Sequence, residues 1–152
     1  MSVCIKSLIQ NMNLVIGCTI GCSYCYARNN VRRFHMTEDF EKPEYFPHKL
    51  RLMEKARPQI FLLTGMSDFS GWRPEWRDEV FARMERNPQH QYLFLTKRPE
   101  EISFSSALDN AWFGVTVSSC KEKNRIRALR EHIRGGHYHV IFEPMFDDVG
   151  QL

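Results

Sequence analysis

The chain has 152 residues, of which 43% are hydrophobic and 26% charged, with a net charge of +3. That length suits one domain spanning 1–152 with a real core, and the composition excludes a disordered polyelectrolyte. The mild basicity tolerates an anionic partner such as nucleic acid without defining a dedicated polyanion binder, and no run approaches the ~20 apolar residues of a membrane span.

No basic segment leads into an apolar run at the start, so the expected setting is the cytoplasm, with no membrane contact. Asn13-Leu14-Val15-Ile16 reads as a first strand that delivers the chain into a cysteine-rich loop over 17–25, and a short helix is expected over 26–33. Pro43 and Pro47 mark an irregular linker, followed by a helix over 48–56 that breaks before Pro58. Gln59-Ile60-Phe61-Leu62-Leu63 has the length and apolarity of a strand buried on both faces of a parallel sheet.

Trp76, Val80, Phe81 and Met84 recur at helical spacing and predict a helix over 74–87, ended by Asn87-Pro88. A third strand is expected over 91–96, a short helical segment over 99–108 and a fourth strand over 111–117. Ile126, Leu129 and Ile133 form the apolar stripe of a helix over 121–134, stopped by Gly135-Gly136. A fifth strand over 139–142 closes at Glu143-Pro144. The fold class is therefore α/β, with strands joined in parallel by helices. The polar groups collect at strand ends, at 64–68, 96–98, 116–119 and Glu143, the edge at which parallel architectures bind ligands.

Three of the five cysteines, Cys18, Cys22 and Cys25, crowd into eight positions with the spacing Cx3Cx2C. Such crowding suits metal ligation better than a disulfide framework. Three thiolates on a tight loop can hold three irons of a cubane and leave the fourth open to a small molecule, and Gly17 and Gly21 permit the backbone turns this needs. A zinc site completed by a histidine is the competing reading, although the six histidines offer no spaced ligand pair beyond His137-x-His139, which is expected to flank a strand. Cys4 and Cys120 are expected as small buried hydrophobes. The cluster Phe69, Trp72 and Trp76 is expected in the core or at a subunit contact, with a stacking lid as the alternative.

Cx3Cx2C with Tyr24 before the last cysteine, on a loop after the first strand of an α/β chain, resembles the radical S-adenosylmethionine (SAM) superfamily. The resemblance extends to Met66-Ser67-Asp68-Phe69, to Phe94-Leu95-Thr96-Lys97-Arg98-Pro99, to Trp112-Phe113-Gly114-Val115-Thr116-Val117 and to Phe142-Glu143-Pro144. These landmarks look like those of the phage-associated radical SAM proteins of unassigned function. The resemblance implies a partial parallel (β/α) barrel, an oxygen-sensitive [4Fe-4S] cluster on Cys18, Cys22 and Cys25, and SAM as the second cofactor. Reductive cleavage of SAM would give a 5′-deoxyadenosyl radical that abstracts hydrogen from the substrate.

By position, Tyr24 would lie beside the adenine. Thr64 and Ser67 would meet the SAM amino group, where this chain departs from the usual Gly-Gly-Glu. Lys97, with Arg98, would pair with the carboxylate, Thr116 and Ser118 would meet the ribose, and Glu143 is a further cofactor contact. About five strands, against the six units of the superfamily core, imply closure by a second radical SAM polypeptide or a second copy, as in the short radical SAM mobile pair proteins. An electron donor is a further implied partner. Two other functions compete: a non-catalytic, cluster-bearing subunit of another radical SAM protein, and a zinc-stabilised nucleic-acid-binding module.

Overall fold

In the computed structural model, which describes residues 8–151, five strands form one sheet in which every neighbouring pair is parallel. They are Ile9–Asn11 (β1), Ile60–Leu62 (β2), Gln91–Thr96 (β3), Ala111–Thr116 (β4) and His137–Ile141 (β5). The spatial order repeats the chain order, so each new strand joins the edge left by the previous one and the winding never reverses. Parallel neighbours need crossover connections, and these carry the helices Pro74–Glu85 (α2), between β2 and β3, and Asn124–His132 (α3), between β4 and β5. The remaining helix, Tyr26–Phe34 (α1), follows the cysteine loop.

β3 shows the alternation of a sheet strand: Tyr92, Phe94 and Thr96 are buried while Gln91, Leu93 and Leu95 are half-buried. Its inward residues join Phe61, Leu63, Phe113 and Val115 from the neighbouring strands and Val80, Met84, Leu129 and Ile133 from the crossovers. Phe69 lies at the centre of this core, with ring centroids 4.6 Å from Phe94, 5.4 Å from Trp72 and 6.1 Å from Phe113. Phe69 and Trp72 are therefore core residues and form no lid, and Trp76 stacks on Tyr45 at 5.5 Å. A second, smaller core of Ile16, Ala27, Val31, Phe40 and Met66 lies beneath the cysteine loop, with Cys18 and Cys25 packed against it.

The second, third, fourth and fifth strands and the 74–87 helix fall where the sequence places them, within a few residues. The first strand does not. Leu14, Val15 and Ile16 are fully or almost fully buried, yet they enter the core, and Val15–Ile16 forms only a two-residue antiparallel ladder with Glu44–Tyr45. The sheet edge is instead β1, whose exposed Gln10 and Asn11 carry no apolar signature. The helix expected over 48–56 is a 3₁₀ segment, Pro47–Glu54.

The helical segment expected over 99–108 shrinks to a single turn, Pro99–Glu101. Phe104 is then drawn against Phe113 at 5.3 Å, and Phe104–Ser105 runs extended beside Ile133–Arg134. That pairing also ends α3 at His132, before the predicted Arg134, because the fully buried Ile133 adopts strand geometry. His137 and His139 lie inside β5 rather than beside it. Cys120 is exposed, contrary to its expected burial, and its N–H donates to Asp147 Oδ1 at 2.8 Å. Cys4 lies outside the described residues. No helix among the described residues is long and apolar enough to cross a membrane.

Gly114 of β4 allows His139 of β5 to lie flat on the sheet: a Cβ at position 114 would sit 2.4 Å from the imidazole ring. Both ring nitrogens are buried without hydrogen-bond partners among the described residues, and burial depresses the pKa of His139 from 6.5 to about 4. The unfolded chain binds this proton below pH 6.5 and the folded chain resists it. Stability is therefore expected to fall as pH drops from about 6.5 to about 4, by at most about 3 kcal/mol. His139→Phe should flatten that part of a urea-denaturation profile measured against pH. Gly114→Ala should lower stability by about 1–3 kcal/mol through overpacking, and adding His139→Ala to the same chain should restore most of the loss in thermal unfolding.

Candidate functional site at the C-terminal edge of the sheet

The cysteine loop is joined to the strand ends by the backbone. Gly17 forms a parallel bridge with Ser67, its N–H donates to the Met66 carbonyl at 3.0 Å, and the Cys18 N–H donates to the Phe40 carbonyl at 2.7 Å. Position 17 requires glycine twice over: its φ is +123°, and a Cβ would lie 2.7 Å from the Pro43 Cα. From this anchor the chain passes through the half-buried Cys18, Cys22 and Cys25, all free thiols.

Each end of the loop aims a backbone N–H at sulfur. Ile20 N–H points at Cys18 Sγ at 3.5 Å, and Arg28 N–H at Cys25 Sγ at 3.4 Å, so Cys25 caps the N-terminus of α1. The Arg28 guanidinium reaches back to the Cys22 carbonyl at 3.4 Å. Burial pushes the Cys18 thiol pKa up, opposed by the Ile20 N–H and reinforced by the charge of Asp68. Among the described residues no three His, Cys, Asp or Glu side chains gather as the ligands of a metal ion. The donor type nonetheless fits an iron–sulfur cluster: three free thiols on one loop, two with an N–H group directed at sulfur.

Around the loop stand the strand-end residues singled out from the sequence. Tyr24 is partly exposed, edge-on to Phe146 at 5.3 Å, with the Lys97 ammonium 5.8 Å from its ring centroid. Lys97 thus leans over the cysteine loop, whereas Arg98 turns away to Glu101 at 3.4 Å. Thr64 is buried, its hydroxyl accepting the Leu95 N–H at 2.8 Å, and the Ser67 hydroxyl accepts the Trp72 indole N–H at 3.0 Å. Each hydroxyl keeps a second lone pair.

The Thr116 carbonyl accepts from Arg125 at 2.8 Å, and Ser118 is buried with its hydroxyl unpartnered among the described residues. Glu143 is exposed, and its charge, after burial and Cys25, helps raise the pKa of Tyr26. Tyr24, Ser67 and Lys97 are thus gathered at the loop, Thr64 is turned toward β3, and Thr116 and Ser118 follow at the end of β4.

Two residues escape sequence reasoning. Asp68, buried at the end of the β2 loop, accepts four hydrogen bonds: from Ser70 N–H at 3.0 Å, Ser70 Oγ at 2.8 Å, Thr96 Oγ1 at 2.6 Å and Lys97 N–H at 2.8 Å. Only the gathering of polar residues at the strand ends, 64–68 and 96–98, hints at it. Asn13 places a buried Oδ1, without a hydrogen-bond partner among the described residues, against Gly65, where a Cβ would lie 2.8 Å from it. Nothing in the local pattern distinguishes that asparagine from a turn residue.

A parallel sheet with a three-thiol loop bridged to its C-terminal edge defines an α/β protein. The chain belongs to the family described as protein of unknown function (DUF5131), which it matches over residues 4–152. No curated protein and no solved structure matches it.

Replacing Asp68 by Ala strands four buried or half-buried donors. The expected loss is about 3 kcal/mol in urea denaturation, with Asp68→Asn intermediate, because it keeps the shape and loses the charge.

Proposed function

We propose that this chain is a radical SAM enzyme. The observation that carries the reading is the Cx3Cx2C loop: three free cysteines joined through Gly17 and Ser67 to the C-terminal edge of a parallel sheet. Cys18, Cys22 and Cys25 hold a [4Fe-4S] cluster that leaves one iron for SAM. Bound there, the two cofactors supply a 5′-deoxyadenosyl radical for hydrogen abstraction from the substrate.

The chain's own residues bind and orient SAM. Lys97, held over Tyr24, pairs with the carboxylate through a charge-assisted hydrogen bond. Tyr24 offers a partly exposed ring for the adenine. Thr64 and Ser67 accept from the amino group through their remaining lone pairs, and the Ser118 hydroxyl, which has no partner among the described residues, meets the ribose with Thr116. Glu143 completes the set from the end of β5. The winding, which advances one strand at a time without reversal, favours a partial (β/α) barrel over a doubly wound sheet. Among the described residues β5 pairs only with β4, and a second radical SAM polypeptide or a second copy would close the barrel along its free edge.

Anaerobic reconstitution of the wild type should yield about four irons per chain and 5′-deoxyadenosine upon reduction with SAM present. Cys22→Ala should lose both. Lys97→Ala should keep its iron while KM for SAM rises about tenfold. Zinc without iron in the wild-type protein would overturn the reading.

A further inference from the structure

Among the described residues seven large hydrophobic side chains are exposed. Five of them, Tyr24, Tyr26, Phe34, Met145 and Phe146, belong to the cysteine loop, to α1 or to the segment folded against the loop. A chain that buries Phe61, Phe69, Phe94 and Phe113 almost completely has thus left four of its five exposed large rings, all but Tyr138, on the loop, on α1 or on the segment against the loop, the usual sign of a contact surface.

The same neighbourhood is cationic. α1 contains Arg28, Arg32 and Arg33 and no acidic residue. The Arg33 guanidinium lies 5.3 Å from the Phe34 ring centroid, as the Lys97 ammonium lies over Tyr24. On the helix, Ala27 and Val31 turn into the small core. Tyr26, Asn30 and Arg33 recur at i, i+4 and i+7, so they form one outward stripe with Phe34 beside it.

This stripe starts at the site. The Tyr26 hydroxyl donates to the Gly65 carbonyl at 2.5 Å, at the end of β2, and the helix carries the stripe about 13 Å outward from there. Tyr26 is 60% exposed and Phe34 62%, so both rings offer free faces. Of the carboxylates nearby, Asp39 is tied to Lys42 at 3.3 Å, Glu143 lies by Tyr26 at the site end and Glu38 is exposed beyond the end of α1.

We propose that this face of α1 is the track for a single-stranded nucleic acid, whose bases stack on Tyr26 and Phe34 and whose phosphates pair with Arg33. Rings interleaved with arginines fit this ligand because every base has a stacking face and every linkage a negative charge. A duplex hides its base faces in the stack, and a purely apolar partner would leave the arginines without counter-charges. The inference deepens the functional reading by naming a substrate class for the same edge. It takes from that reading only the position of the reactive end; binding itself does not require the reading to hold.

The test uses the reconstituted full chain and fluorescein-labelled oligonucleotides of about 12 residues, a length within single-strand site sizes. Fluorescence anisotropy is read for single-stranded DNA, single-stranded RNA and the corresponding duplex across a salt series. The expected result is preference for the single strand over the duplex, and the DNA and RNA arms show which sugar is favoured. Arg33→Ala should weaken binding and reduce the slope of log K against log salt by about 0.7. Phe34→Ala should weaken it about tenfold with the slope unchanged. Arg33→Lys should keep the salt slope, and Arg127→Ala, on the exposed side of α3, should bind as the wild type does.

Equal affinity for duplex, unchanged binding in the Arg33 and Phe34 variants, or no oligonucleotide binding, as for a surface that takes a protein, would each overturn the proposal. Iron content and SAM cleavage measured on the same preparation separate that failure from failure of the functional reading.

Discussion

A buried carboxylate needs its donors, and Asp68 gathers them from two successive strand ends. Thr96 and Lys97 come from β3 and Ser70 from the turn that follows β2, so one side chain fixes the relative position of two segments at the C-terminal edge. Phe69, the next residue, enters the centre of the aromatic core. The Asp68-Phe69 pair therefore couples the polar edge to the apolar interior across a single peptide bond. Lys97 is carried by the same arrangement, because its N–H is held by Asp68 while its side chain extends over Tyr24.

The cysteine loop depends on this edge in turn. Its entry bridges Ser67 and its exit is pinned by the Tyr26 hydroxyl on Gly65, so both ends of the loop rest on the four residues before Asp68. Between those pins the thiols are positioned by turns and by the start of α1, where Cys25 serves as the cap. A residue that caps a helix cannot move without fraying the first turn. The stripe of Tyr26, Asn30 and Arg33 thus takes its direction from the cysteine loop.

Much of this was legible in the sequence. The strands at 91–96 and 111–116 carry dense apolar runs, α2 carries its periodicity, and the cysteine spacing stands out on its own. What was not legible has physical causes. The edge strand at Ile9–Asn11 is polar on its exposed positions, so the adjacent Leu14, Val15 and Ile16 outshine it, although their burial comes from core packing and not from the sheet. Phe104 and Ile133 lie inside predicted helices and form a ladder because each is held extended by partners distant in sequence. Asp68 and Asn13 matter through contacts to other loops, which no local pattern encodes. Cys120 shows the reverse: its residue type favours burial, while its place after β4 beside Asp147 leaves it exposed.

The division of the apolar residues into two cores has a thermodynamic side. Ile16, Ala27, Val31, Phe40 and Met66 form a group far smaller than the one under the sheet. Its opening exposes little surface, so it can melt as a separate cooperative unit at a lower free energy than the whole chain. Anything bound by the three thiols holds that unit shut by mass action. The sheet can stay folded through such an opening, so the local stability of the cysteine lobe is set apart from that of the sheet and linked to what the thiols bind.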